Sequence, residues 1–282
     1  MTRSQVPWRA ELEFSDFAAQ EDEDLDLLTG ALLIARDARP SLSWQSVEKT
    51  LDDLARPLVT LADARLSDQA EALALELSER FGLSGNHEDY HDPDNSFIDQ
   101  VLTRRVGIPI SLSLVYVEVA QRAGLQASGV GFPGHFLVRL DGADDEHLIL
   151  DPFSGGRVLD LRDLEQMLDR VGWPRRVLEQ GLLDPSPLRL ILARMLTNLR
   201  SVYLKRGELP RLLVVLDRLL ALIPDSKEAL RDRGILNAEL GAPEAARADL
   251  HEYLRRWPDA DDSDVVRRVL GRLGKPDQRS LN

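Results

Sequence analysis

Apolar residues recur at helical spacing along the first eighty residues. Leu25, Leu28, Leu32 and Ala35 form one stripe, and Val47, Leu51, Leu54 and Leu58 a second, interrupted near Pro57. Ala70, Leu73, Leu77 and Phe81 form a third, which Gly82 ends. The pattern predicts three helices leading into a polar, turn-rich segment at 84–95 that contains Gly85, Asn86, Asp92 and Pro93. Residues 97–105 predict a short helix. After the break at Gly107-Ile108-Pro109, residues 111–123 are apolar almost all round, the pattern of a buried helix.

The spacing then changes to that of strands. Residues 128–132, 135–140 and 147–151 read as β-strands, and Asp141-Gly142-Ala143-Asp144-Asp145 as a hairpin loop. With Leu140 opposite Glu146, that loop sets His135 opposite Asp151. Paired residues of antiparallel strands share a face, with Cβ atoms about 5 Å apart. A slip of one residue would send the imidazole and the carboxylate to opposite faces. Residues 161–171 predict a further helix, followed by a connector punctuated by glycine and proline through Pro187.

From there the chain is helical and repeats itself. Gly207 and Gly241 stand 34 residues apart, as do Pro224 and Pro258, and Leu216, Leu220 and Ile223 map onto Leu250, Leu254 and Trp257. That period, with glycine between paired helices and proline after the second, is the tetratricopeptide signature. It gives two units at about 190–225 and 226–259 and a capping helix at 264–273. The fold class expected is therefore α+β and mostly helical. Its parts are an N-terminal arm (1–20) with Trp8, Phe14 and Phe17 as docking points, a helical region (21–95), an α/β core with its connector (96–185) and a helical-repeat arm (186–282).

Composition narrows the chemistry. Of 282 residues, 35 are Lys or Arg and 48 Asp or Glu, a net charge of -13 that argues against general nucleic-acid binding. No stretch near residue 1 has the build of a secretory signal, and no apolar run approaches the ~18 residues of a membrane span, so the expected location is the cytoplasm. The chain has no cysteine. Disulfides, thiolate metal sites and every cysteine-nucleophile mechanism are thereby excluded.

Three motifs bear on function. His87-Glu88-Asp89-Tyr90-His91 spells the zinc-protease pattern H-E-x-x-H, which works when a helix sets both histidines on one face. Gly85-Asn86 before it and Asp92-Pro93 after it favour a polar loop, so no metal is assigned to His87 and His91. Ser111 stands at the expected start of the buried helix, where a serine serves as a cap or, in the helix's N-terminal field, as a nucleophile. With His135 as base and Asp151 as orienter it would complete a Ser-His-Asp set. The same pair read structurally is a hydrogen-bonded hairpin end.

Four stretches resemble one family: Asn86 with Tyr90-His91-Asp92-Pro93-Asp94-Asn95-Ser96, residues 101–112, Pro133-Gly134-His135-Phe136-Leu137-Val138-Arg139, and Leu150-Asp151-Pro152-Phe153 followed by Gly155-Gly156. They look like the SirB-type transglutaminase-like family, bacterial proteins that join such a domain to tetratricopeptide repeats. Some eukaryotic F-box proteins carry a similar domain. The resemblance implies a papain/transglutaminase-like core, a central helix packed on an antiparallel sheet. It puts His135 and Asp151 at the superfamily's histidine and aspartate positions. The helix start at 109–111, where active relatives carry a cysteine, holds none, and the cysteine column falls nearer Pro109 than Ser111. Within the matching stretches Tyr90, Asn95 and Arg105 are candidate ligand-binding residues.

Three functional expectations follow. The first is a non-catalytic transglutaminase-like domain that binds a protein or ligand, with the repeats as a surface for a protein or peptide partner and no cofactor. The second is a hydrolase or acyltransferase using Ser111, His135 and Asp151. The third is a purely structural adaptor in which the same residues pin the hairpin to the helix.

Overall fold

In a computed structural model, which describes residues 11–273, the chain begins with the short helix α1 (Phe14–Ala18). Trp8 lies outside the described residues. The three apolar stripes become α2 (Leu27–Ala38), α3 (Trp44–Ala55) and α4 (Leu66–Ala74). Asp26 caps α2 by accepting the Thr29 N–H at 2.8 Å, and Ser43 caps α3 by accepting that of Ser46 at 3.3 Å. Past α3 the chain tightens into 3-10 turns across Pro57, and past α4 it widens into a π-helical turn over Leu75–Arg80.

Two short parallel strands, β1 (Ser84–Gly85) and β2 (Val106–Gly107), flank α5 (Ile98–Arg104). The central helix α6 (Pro109–Arg122) follows, buried without interruption from Pro109 to Ala120. It starts two residues earlier than its hydrophobic pattern suggests. Pro109 takes the first helical position, where its fixed φ suits the helix and its missing N–H is not needed. Ser111 is consequently the third residue of the helix and not its head.

Strands β3 (Gln126–Phe132), β4 (His135–Asp141), β5 (His147–Asp151) and β6 (Arg157–Leu159) form an antiparallel sheet in that order, and α6 packs on β3 and β4. The sequence pattern does not reveal β6, whose three residues include two exposed ones and offer no alternation to read. The hairpin register also differs from the expected one. Leu140 pairs with Leu148 and Asp141 with His147, so the loop is 142–146. Gly142 N–H donates to the Glu146 carbonyl at 2.8 Å, while Asp144 and Asp145 take left-handed φ of 53° and 60°. Aspartate tolerates that conformation, which leaves Asp141 free to extend the ladder.

By this register Val130, Phe132, Leu137, Ile149 and Leu159 share one sheet face, where they pack with Leu164 and Leu168 of α7 (Leu161–Arg170). Val138, Leu140 and Leu150 on the other face are completely buried. A sheet covered on both sides is a rigid platform for whatever its strand ends carry.

The remaining helices are α8 (Leu188–Arg206), α9 (Leu209–Leu222), α10 (Lys227–Glu239), α11 (Pro243–Arg256) and α12 (Ser263–Arg272). The described residues divide into two units, 11–13 with 20–195 and 14–19 with 196–273. In the second unit α1 packs on α9: Phe14 and Phe17 are buried, and the Arg218 guanidinium lies 5.0 Å from the Phe14 ring centre.

The repeat is visible in the hydrogen bonds themselves. Glu208 N–H donates to the Tyr203 carbonyl at 3.0 Å, and 34 residues later Ala242 N–H donates to that of Asn237 at 2.8 Å. Ile223 to Leu219 and Trp257 to Tyr253 repeat the same way at the ends of α9 and α11, both at 2.8 Å. Gly207 and Gly241 supply the left-handed turns, with φ of 67° and 78°. Leu230, Leu250, Tyr253 and Val266 form the core of the last helices, with Trp257 packed against it. The architecture is thus α+β and mostly helical, with helices preceding a helix-on-sheet core and a tetratricopeptide-like arm after it. No helix among the described residues is long and apolar enough to cross a membrane.

Candidate functional site

Strand β4 begins after the two-residue turn Pro133-Gly134, which sets His135 at its first position, and β5 ends on Asp151. His135 Nε2 lies 2.8 Å from Asp151 Oδ1. The two are not direct cross-strand partners: the observed register puts Leu137 opposite Asp151, with His135 two residues away. A displacement of two keeps both side chains on one face, and diagonal neighbours at about 7–8 Å are within reach of an imidazole. The sequence-based pairing was wrong in register and right in face.

Asp151 is buried and saturated. Its Oδ1 also accepts the N–H groups of Phe153 at 3.0 Å and Ser154 at 3.3 Å, and its Oδ2 accepts the Ser154 hydroxyl at 2.7 Å. Burial by itself would raise its pKa, but the hydrogen bond and charge of His135 together with the Ser154 contacts prevail and hold it below the usual carboxylate range. A carboxylate kept ionised asks for a donor, so His135 presents Nε2–H to Asp151.

An aromatic cluster built on Phe153 lies beside His135. The Phe153 ring centre is 6.0 Å from that of His135, 4.6 Å from His87 and 6.2 Å from Tyr90. Phe153 lies over the backbone of Gly85, where an added Cβ would come within 2.6 Å of the ring, so this close approach requires glycine. From α8, Arg194 donates to the carbonyls of His135 and of Phe132, the latter at 3.1 Å, and sits 5.4 Å from the Phe136 ring centre. Burial lowers its pKa. Tyr90 is 45% exposed at the rim, its own pKa raised by burial against the opposing effect of Arg194. A groove of about 350 Å³ lined by Phe132, Pro133, Gly134, Trp173, Leu182 and Arg194 opens beside the cluster.

The other candidates lie elsewhere or are occupied. Ser111 Oγ is buried, donates to the Asn95 carbonyl at 2.6 Å and accepts the Ile108 N–H at 3.1 Å. Its hydrogen bonds join the head of α6 to the preceding loop and none goes to His135. Asn95 is fully buried: its Oδ1 accepts from Asn86 Nδ2 at 3.0 Å, and its Nδ2 donates to the Asp89 carbonyl at 2.7 Å. Both ends of its amide are committed to the 86–95 loop. Arg105 sits at the end of α5 with its guanidinium over the Phe81 ring, in a different groove. The H-E-x-x-H segment is not helical, so His87 and His91 lack the shared helix face zinc chemistry uses; His87 packs on Phe153 and His91 on Tyr90. Among the described residues no group of three or more His, Asp or Glu side chains is arranged to hold a metal ion.

Sequence reasoning did not single out Phe153, Ser154 and Arg194 as parts of this cluster. The first two follow Asp151 directly and belong to its turn, a signal that Asp-Pro offers locally. Arg194 arrives from 59 residues beyond His135, and nothing local announces it.

Comparison with known proteins agrees with this architecture. Residues 45–197 match the model of the transglutaminase-like superfamily, and residues 199–271 that of a tetratricopeptide repeat. A UPF0162 protein of Xylella fastidiosa is 41% identical over 91% of this chain and 93% of its own length. Protein SirB1 of Salmonella typhimurium is 27% identical over 90% of this chain and 94% of its own. F-box only protein 21 of Homo sapiens is 28% identical over 82% of this chain, a stretch that makes up 36% of that protein. No solved structure matches.

Proposed function

The chain belongs to the transglutaminase-like superfamily, and from that premise and its lack of any cysteine we propose that it binds a protein or ligand without turning it over. The His135–Asp151 pair and the aromatic rings beside it form the recognition cleft, and the tetratricopeptide-like arm binds a protein partner. The observation that carries this reading is the commitment of Ser111 Oγ to Asn95 and Ile108. A serine needs its proton taken by a base at the moment of attack, and a hydroxyl already donating to a backbone carbonyl is turned away from that role. His135 then remains as a polar imidazole, mostly buried and held in place by Asp151, at the edge of the cleft.

The arm supports the second half of the reading. Stacked helix pairs present extended surfaces suited to peptides and proteins. The purified protein treated with a fluorophosphonate should carry no label at Ser111, and should show no hydrolase or acyl-transferase turnover. An activity that disappears in folded His135→Ala protein would overturn the proposal in favour of serine-dependent catalysis. Unchanged partner binding in that variant, with lowered stability, would reduce the pair to a structural clasp.

A further inference from the structure

We infer that a second groove, bounded by the start of α3 and the end of α5, binds a phosphate monoester through Arg105. The groove holds about 470 Å³ and shares no residue with the His135 cluster. Its apolar part is made by Leu42, Val47, Phe81 and Leu102, and its polar part by Ser41, Ser43, Ser46, Thr103, Asp99 and two arginines among others.

The two arginines differ in what they are doing. Arg39 is consumed: Nε and Nη2 donate to the two oxygens of Asp99 at 2.8 and 3.2 Å, and Nη1 donates to Asp94 at 2.9 Å. That arrangement neutralises Asp99, the one carboxylate among the described residues that line the groove. Arg105 makes no side-chain hydrogen bond or ion pair among the described residues; its guanidinium lies 5.1 Å from the Phe81 ring centre. The lining therefore carries one unbalanced positive charge on a chain whose net charge is -13.

The backbone sharpens this. Arg105 has φ 62° and ψ 22°, the left-handed conformation at a helix end where glycine is the inexpensive residue. Its N–H donates to the Val101 carbonyl at 2.8 Å and its carbonyl accepts the Ser84 N–H at 2.9 Å, so the strained residue is clamped from both sides. This ending fixes the direction in which the Arg105 side chain leaves the backbone. The Phe81 ring lies beside the exposed guanidinium, a five-donor fork at the groove. The hydroxyls of Ser41 and Ser46 are uncommitted among the described residues and add two donors. A phosphate monoester, with three acceptor oxygens and an organic body for the apolar wall, matches this inventory better than a carboxylate.

The test is calorimetric titration of the full-length protein with three probes: inorganic phosphate, phenyl phosphate and a phosphoserine peptide. Saturable binding weakened at least about tenfold by Arg105→Gly, and less strongly by Ser46→Ala, is the expected result. Glycine suits φ 62°, so that variant keeps the fold while removing the cation. The tightest probe names the source: a small-molecule ester, a modified peptide, or the free anion if all three bind alike. No saturable binding by any probe, or binding indifferent to Arg105→Gly, overturns the inference.

Discussion

His135 and Asp151 meet at 2.8 Å across a hairpin in which neither is the other's cross-strand partner. The contact is diagonal, made by an imidazole reaching along the sheet toward a carboxylate that a following turn holds in place. Their separate environments explain why the contact forms. Asp151 needs a donor to stay ionised while buried, and His135 stands at the strand end with a ring nitrogen to give. His135→Ala is therefore expected to destabilise the protein by about 1–3 kcal/mol. A double-mutant cycle with Asp151→Ala in urea denaturation should return a coupling energy of more than about 0.5 kcal/mol. Strict additivity would show that the contact has no energetic weight.

The depressed pKa of Asp151 sets the sign of an acid effect. A carboxyl whose pKa is lower folded than unfolded stabilises the fold above its unfolded value, and that contribution disappears as pH falls through the lowered one. Stability measured across the acid range should fall less steeply in Asp151→Asn than in the native protein, although the variant is less stable at neutral pH. A parallel pair of curves would remove Asp151 from the acid transition.

An opposite effect is expected at high pH from Tyr116. Its hydroxyl lies 2.6 Å from that of Ser78, and burial, against the opposing hydrogen bond, pushes its pKa up to about 12. The folded state favours the neutral phenol, so its contribution is complete below the ordinary tyrosine pKa of about 10 and is lost as pH rises toward 12. The loss should amount to about 2–3 kcal/mol by that shift. Tyr116→Phe should flatten the alkaline limb of the stability profile; an unchanged limb would assign it to other groups.

In the second unit, Gly207 and Gly241 isolate the price of a left-handed turn. A Cβ added at either would meet nothing within 4 Å, so alanine there is opposed by backbone conformation alone. Each substitution should cost about 1 kcal/mol. Equal losses are expected, because the two turns repeat the same hydrogen bonds. A several-fold difference in thermal-denaturation measurements would break the equivalence of the repeats.

Much of this protein was legible as pattern. The three N-terminal stripes, the buried central helix, the strands at 128–132, 135–140 and 147–151 and the 34-residue repeat all rest on local periodicity, which hydrophobic burial imposes wherever a helix or strand packs by one face. Zero cysteines excluded thiol chemistry at once. The face shared by His135 and Asp151 was also readable, because strand parity survives a register error of two.

The tertiary structure decided the rest. It set the register through a loop whose aspartates adopt left-handed φ. It started α6 at Pro109, and it tied the Ser111 hydroxyl to Asn95, where composition had left a nucleophile open. It brought Arg194 to the His135 carbonyl and left Arg105, unlike Arg39, without an acidic partner among the described residues. Periodicity reports which face of an element is buried. Which polar group meets which depends on chain segments far apart in sequence, and their approach is settled by packing.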